Sequence, residues 1–458
     1  ITERDWSSDV CSSDLTSAPA YARMLGSTGW LVAGRVVGSL CTLLVLLQLA
    51  RGLELAEFGR LTFYLAVMAV MGSVADLGTG QTVVQQSSSG VADLASLLRT
   101  GRQVRGVTAL ACTAAWALWC FVAGEPEPMW LVAAAISTFT YTLELTIVPA
   151  RNAMRLRAPV LIRAATSLGT LAIVSLVLGF GVRGVGPLLF AMTASTSLGH
   201  GALHLMLRQH LPPRANKGVP LGPYLWLTLP LGLGALCQQL YFWIDNAFIR
   251  QQLGEQALGL YNLPVRLFSF AILVAVLAPQ AALPWLARAH AQGRMGPALA
   301  RVGFPLIALG IVSAGFFWMA APDLLLAFGP EFPQAASVLR ILVVALVCVH
   351  AGALWITGMI AAGKTQAMLG LAASGLAINV VGNAILLPRL GLEGAAVATA
   401  LTEAWVAGYA LVCLVRMGVR PVGALSPKAV AWLVGACFLG MGLGQIARPL
   451  LRAAADLR

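Results

Sequence analysis

Arg35 lies about nine residues into an apolar run over 27–49, too deep for its guanidinium to reach water easily by snorkelling. A planar, permanently charged fork donates two parallel hydrogen bonds to a phosphate. The chemistry Arg35 offers is therefore capture of a phosphate-bearing group; the alternative is an ion pair with Asp76 or Glu144. Asp76 stands in GSVADLGTG, and Glu144 is flanked by Thr142 and Thr146 in another apolar run. A charge at membrane depth costs roughly 2.5–3.5 kcal/mol, so each acid needs a reason. Two reasons fit: counter-ion to an arginine, or seat for a coupling proton or monovalent cation. A second polar set falls in YFWIDNAF and LYNLPVRLF. Asp245 and Asn246 read as the end of one helix, with Trp243 as an interfacial anchor. Tyr261, Asn262 and Arg266 read as the start of the next, Arg266 two residues past Pro264. Arg35 and Arg266 would be two cationic walls for one anionic headgroup. Arg163, Arg340 and Glu403 lie near helix ends and are weaker candidates.

Positioning such groups falls to a very apolar chain. It has 458 residues, of which 59% are hydrophobic and 10% charged, against roughly 25% charged in a soluble domain. Mean hydropathy is +0.82. A soluble fold has too little interior for that surface, which nearly excludes an ordinary cytosolic enzyme. A crossing takes about 20 residues, and apolar runs recur near 27–49, 61–82, 106–123, 129–148, 160–180, 185–207, 223–244, 263–286, 302–321, 336–360, 367–387, 394–415 and 429–446. Each must be helical, because a lone strand leaves its backbone unpaired in lipid. The last run is short, and a full crossing there places Arg448, Arg452 and Arg458 on the outer side.

The net charge of +12 comes from bases scattered between apolar runs, which points to the cytoplasmic face of a membrane rather than to nucleic acid. With a cytoplasmic N-terminus, inner segments (Arg99, Arg102 and Arg105 among them) hold seventeen bases and outer ones five, namely Arg51, Arg60, Arg183, Arg250 and Arg389. The outer stretches around Glu125, Glu127, Asp323 and Glu331 hold no base. Most of the eight cysteines are singles within apolar runs and read as small apolar side chains. Residues 1–15, with the near-repeat SSDVCSSDL, lack the basic and apolar regions of a signal peptide and read as foreign or disordered sequence.

The chain also repeats itself weakly. RGLELAEFGRLTFY (51–64) and RQQLGEQALGLYNL (250–263) place Gly59 and Gly259 two hundred residues apart in matching turns, and GVRG at 181–184 answers GLEG at 391–394. The expectation is two six-helix lobes related by a pseudo-two-fold, over 16–217 and 218–415, with an additional helix and tail over 416–458.

Three stretches resemble the polysaccharide or oligosaccharide (O-antigen type) flippase family of the multidrug/oligosaccharidyl-lipid/polysaccharide exporter superfamily. They are GSTGWLVAGRVVGSL with RGLELAEFGRLTFY, then YFWIDNAFIRQQLGEQALGLYNLPVRLFSF, then AAGKTQA with LPRLGLEGAAVATALTE. The resemblance covers about 25–446. It implies an all-α polytopic membrane protein with 12 to 14 transmembrane helices in a V-shaped, two-lobed exporter fold. It also implies a multi-pass protein of the bacterial inner membrane that transports and is not an enzyme. The substrate would be a polyprenyl-diphosphate-linked oligosaccharide, flipped to the periplasmic leaflet for polysaccharide or lipopolysaccharide biosynthesis. Its partners would be that glycan, membrane lipids, and glycan polymerase or glycosyltransferases. A functional arginine in the first helix is implied as well.

Alternatives are a cation-coupled multidrug exporter of the same superfamily, which favours an acidic, aromatic cavity, and a membrane-embedded glycan polymerase or ligase, which wants a large periplasmic loop. GMIAAGKT at 358–365 matches a phosphate-loop pattern by letter, but a long apolar helix precedes it where a strand is required. His200 and His204 share a helix face without a third ligand nearby. No cofactor or metal is expected.

Overall fold

The computed structural model describes residues 18–88, 93–124, 128–153, 155–213, 215, 217–364, 366–421 and 427–456. Residues 1–15, the outer-loop acids Glu125 and Glu127, Arg458, and Thr365 of the phosphate-loop match lie outside that set. Among the described residues every regular element is helical. In chain order these are α1 Ala18–Gly52, α2 Leu55–Asp76, α3 Thr79–Ser88, α4 Leu94–Ala123, α5 Pro128–Tyr141, a 3-10 segment Thr142–Ile147, α6 Val148–Asn152, α7 Arg157–Gly179 and α8 Val185–Leu207. They continue with α9 Leu221–Ala271, α10 Leu273–Ala291, α11 Met295–Leu326, α12 Ala336–Val344, α13 Leu346–Ala361, α14 Gln366–Leu390, α15 Leu392–Arg416 and α16 Pro427–Asp456. Eleven stretches among the described residues are long and apolar enough to cross a membrane; one of them, Leu221–Leu283, runs 63 residues and is long enough for two crossings. Large apolar side chains stand exposed along many helices, including Phe121, Phe180, Leu198, Trp226, Trp432 and Phe438. Such exteriors are stable in hydrocarbon and not in water.

The helices differ from the expected runs at points that matter. The third run starts at Leu94, not 106, with Asp93 capping it by accepting from the Ser96 amide at 3.1 Å. Arg99, Arg102 and Arg105, read as loop bases, therefore lie on a helix, and Arg105 is buried. The thirteenth run is not short: α16 has 30 residues. Two of its terminal bases, awkward on the outer side, share one acid. Arg448 and Arg452 both donate to Asp323, the latter from Nε to Oδ1 at 2.6 Å. Small residues let α16 approach α11 closely, since a Cβ on Gly315 would sit 2.9 Å from the Cys437 carbonyl.

The chain forms two compact units: residues up to Gly52 with Tyr64–Gln239, and Leu53–Phe63 with Leu240–Arg458. In the first, α1 packs on α7, α7 on α8, and α5 on α4 and α8. In the second, α11 packs on α16, α15 on α14 and α13, and α13 on α10 and α11. Gly254, at φ +85°, interrupts α9 in a conformation that side-chain-bearing residues resist. Beyond that kink the segments around Gly59 and Gly259 meet, and both are helical rather than the turns expected. A Cβ on Gly59 would lie 2.8 Å from the Gly259 nitrogen. There Asn262 Nδ2 donates to Thr62 Oγ1 at 2.8 Å, and Arg60 and Arg250 both pair with Glu255.

Candidate functional site

In the second unit Asp245 sits nine residues before the kink, inside α9 and 4% exposed. The reading of Asp245 and Asn246 as a watery helix end is therefore corrected: the apolar run does not stop at 244. Among the described residues, the donors to this carboxylate are neutral. Tyr261 Oη donates to Oδ2 at 2.6 Å, Thr399 Oγ1 to Oδ2 at 2.7 Å and Asn383 Nδ2 to Oδ1 at 2.7 Å. Asn379 lies one turn from Asn383 and accepts from it at 3.1 Å. Helices α9, α14 and α15 thus each contribute. Among the described residues no base lies within ion-pair distance of Asp245. A small pocket adjoins it, lined by Tyr241, Phe242, Tyr261, Phe268, Thr399 and Glu403, among others. Such a carboxylate has oriented donors but no countercharge in a dry setting, which favours taking up a small cation or a proton.

The neighbouring candidates are spread more widely. Asn246 and Asn262 are buried, and Asn262 is committed to Thr62. Arg266 lies with its guanidinium carbon 4.5 Å from the Trp243 ring centroid, an arrangement that holds the cation flat against an aromatic face. Arg340 likewise covers Trp318.

In the first unit the acids are spoken for. Asp76 closes α2, and Leu77 and Gly78 both take positive φ before α3 begins. Arg105, from α4, binds Asp76 and also donates to Thr79 Oγ1 at 2.7 Å and to the Tyr141 carbonyl at 3.2 Å. One buried side chain thereby joins two helix interruptions: the break at 77–78 and the start of the 3-10 segment. That segment is tied elsewhere too, Glu144 by Arg163 of α7, and Thr146 by His204 of α8 at 2.8 Å. Asp76 and Glu144 were expected as counter-ions to an arginine or as coupling acids; each is paired with an arginine on another helix, though not with Arg35.

Arg35 has no hydrogen-bond or ion-pair partner among the described residues, and its side chain is exposed. The face it occupies is informative. Eleven residues bring an α-helix to within about 20° of the same direction. Leu46, eleven residues on, is 7% exposed, and Leu49, close to the same line, is 2% exposed. Arg35 therefore projects from the face of α1 that packs inside the unit farther along, at a level where that face is open.

Comparison with known proteins places this arrangement. The polysaccharide biosynthesis protein family matches residues 24–290, more than half the chain, so the protein belongs to that family. Its fold is that of the multidrug/oligosaccharidyl-lipid/polysaccharide exporters. A lipid II flippase MurJ structure in an inward closed conformation is similar at TM-score 0.71 with 11% identity, covering 94% of this chain and 96% of that one. The Vibrio cholerae MATE transporter VcmN is similar at TM-score 0.63 and 14% identity, covering 91% and 98%. A superfamily transporter from Pyrococcus furiosus is similar at TM-score 0.60 and 13% identity, covering 94% and 96%. No curated protein sequence matches. With eleven stretches long and apolar enough to cross a bilayer among the described residues, the chain is a multi-pass membrane protein.

Sequence reasoning missed Asn379, Asn383 and Thr399, and took Arg105 for a loop base. A signal for the first two existed: amides at i and i+4 on an otherwise apolar α14 share one face. Nothing local marks Thr399 as their partner.

Proposed function

We propose that the protein flips a polyprenyl-diphosphate-linked oligosaccharide from the cytoplasmic to the periplasmic leaflet of a bacterial inner membrane, with its N-terminus cytoplasmic, for surface polysaccharide synthesis. The family supports a role in polysaccharide biosynthesis, and the fold supports transport without covalent chemistry. The observation that carries the substrate class is Arg35: an unpaired guanidinium on an inward face, inside an apolar helix. Its favourable partner there is an anion that arrives and leaves, and a diphosphate suits its fork. Arg266, held against Trp243, is the second cationic contact. An organic-cation exporter gains nothing from either.

Coupling to a proton or monovalent cation gradient rests with Asp245. Tyr261 engages the Asp245 carboxylate, and Asn262 is occupied by Thr62; with buried Asn246 they hold the coupling site in place rather than grip sugar. Asp76 and Glu144, neutralised by arginines, are counter-ions. Glycan polymerase and glycosyltransferases are the partners that would consume and supply the glycolipid.

The test is translocation of a lipid-linked oligosaccharide in proteoliposomes, read by enzymatic access to the sugar from one side. Arg35→Ala abolishes translocation and Arg35→Lys retains part of it, while both variants stay folded. Normal translocation by Arg35→Ala refutes the phosphate role.

A further inference from the structure

Helices α1 and α7 lie side by side and run in the same direction. A Cβ on Gly34 would meet Val160, one on Gly38 would lie 3.5 Å from Ser167 Oγ, Gln48 bonds Ser175 at 2.9 Å, and a Cβ on Gly52 would lie 3.2 Å from Leu178. These contacts fix the register. At about 100° per residue, Arg35 stands roughly 80° to one side of the line that Gly34 and Gly38 present to α7, and Arg163 roughly 50° from the line that Val160 and Ser167 present to α1. Because the helices are parallel, the two offsets fall on the same flank of the seam. Packing repeats the result: eleven residues beyond Arg35 is Leu46, 7% exposed, and eleven beyond Arg163 is Val174, 0% exposed. The flank is closed at the level of Leu46 and Val174 and open at the level of the two arginines. Arg163 is 56% exposed there, and its acid partner among the described residues is Glu144, delivered by the 3-10 segment.

Taking the proposed transport reading as its basis, we infer that Arg35 and Arg163 form a two-arginine site for a diphosphate group on the first unit, with Glu144 as the built-in anion that the diphosphate displaces. The pieces fit chemically. A guanidinium that is already half in solvent exchanges one oxyanion for another without being desolvated afresh. A diphosphate spans two forks where a carboxylate occupies one. The 3-10 backbone that carries Glu144 has weaker hydrogen-bond geometry than an α-helix, so withdrawal of the carboxylate needs little rearrangement. The resident acid also keeps the site from holding phosphate too tightly to let it go.

Binding tests this without requiring transport. The full-length protein in nanodiscs is titrated with geranylgeranyl diphosphate at fixed salt. Arg163→Ala weakens binding about tenfold or more, as loss of a charge-assisted contact does, with Arg163→Lys intermediate. Glu144→Gln tightens binding about threefold, because the competing charge is gone. Binding by Arg163→Ala equal to wild type, or by Glu144→Gln no tighter than wild type, overturns the inference. Inorganic pyrophosphate displaces the probe if the diphosphate group is what the site reads; displacement by phosphatidylglycerol with pyrophosphate inert overturns it in favour of a bulk-lipid site. Melting curves of Arg163→Lys and Glu144→Gln confirm that the fold is kept. If this binding pattern holds while proteoliposomes flip no glycolipid, the transport reading falls and the site stands. If wild type flips glycolipid and Arg163→Ala binds and flips it equally well, the site falls alone.

Discussion

Two acids, one in each unit, are held in opposite ways, although the second unit also pairs Asp323 with arginines. In the first, Asp76 faces the guanidinium of Arg105, whose side chain is 3% exposed. In the second, Asp245, more deeply buried than Asp76, faces a tyrosine, a threonine and an asparagine. An arginine cancels an acid's charge and converts it into a bracket; hydroxyl and amide donors orient the acid and supply no countercharge. One arrangement holds bent helices together; the other is the one for which we propose a small-cation or proton role.

The contrast is broken most severely at Asp76. Asp76→Ala strands Arg105 in a dry site and is expected to cost about 3–5 kcal/mol, the range for removing one partner of a buried pair. Thermal unfolding in detergent measures it, and adding Arg105→Leu recovers much of the loss if the pair is a bracket. Asp245→Asn is expected to do the reverse. It relieves a buried charge, so the melting temperature holds or rises, while gradient-driven translocation falls about tenfold or more, the size of effect that about 1.4 kcal/mol of lost ion binding gives. Gradient-dependent transport that survives in Asp245→Asn removes Asp245 from coupling. Thr399→Val deletes one of the Asp245 donors and is expected to lower stability by about 1 kcal/mol; ion dependence of transport shifts with it, whereas a purely structural hydroxyl leaves that dependence alone. The smallest effect belongs to Glu144→Gln. Arg163 is half-exposed, so water replaces the lost partner and stability changes by less than about 1 kcal/mol, even though ligand binding changes.

Glu144 and Asp76 also show why a sequence run misleads about charge. Both acids lie in apolar stretches, and both found arginines: Arg163 near a helix start, and Arg105, twelve residues into a helix that the sequence reads as starting only after it. Those partners are 19 and 29 residues away, brought near by turns that carry no hydropathy signal. The same holds at Asp245, whose donors Asn383 and Thr399 lie 138 and 154 residues on.

What the sequence determined by itself was the solvent and the material: apolar runs of crossing length force helices, and the scarcity of charge makes each remaining one meaningful. Gly59 and Gly259 read as turn residues in the sequence, yet both lie inside helices that approach one another closely. The tertiary structure alone decided which charge meets which partner. Periodicity is a property of one helix, whereas an ion pair depends on the relative rotation of two, and that angle is set by side-chain packing along the whole seam.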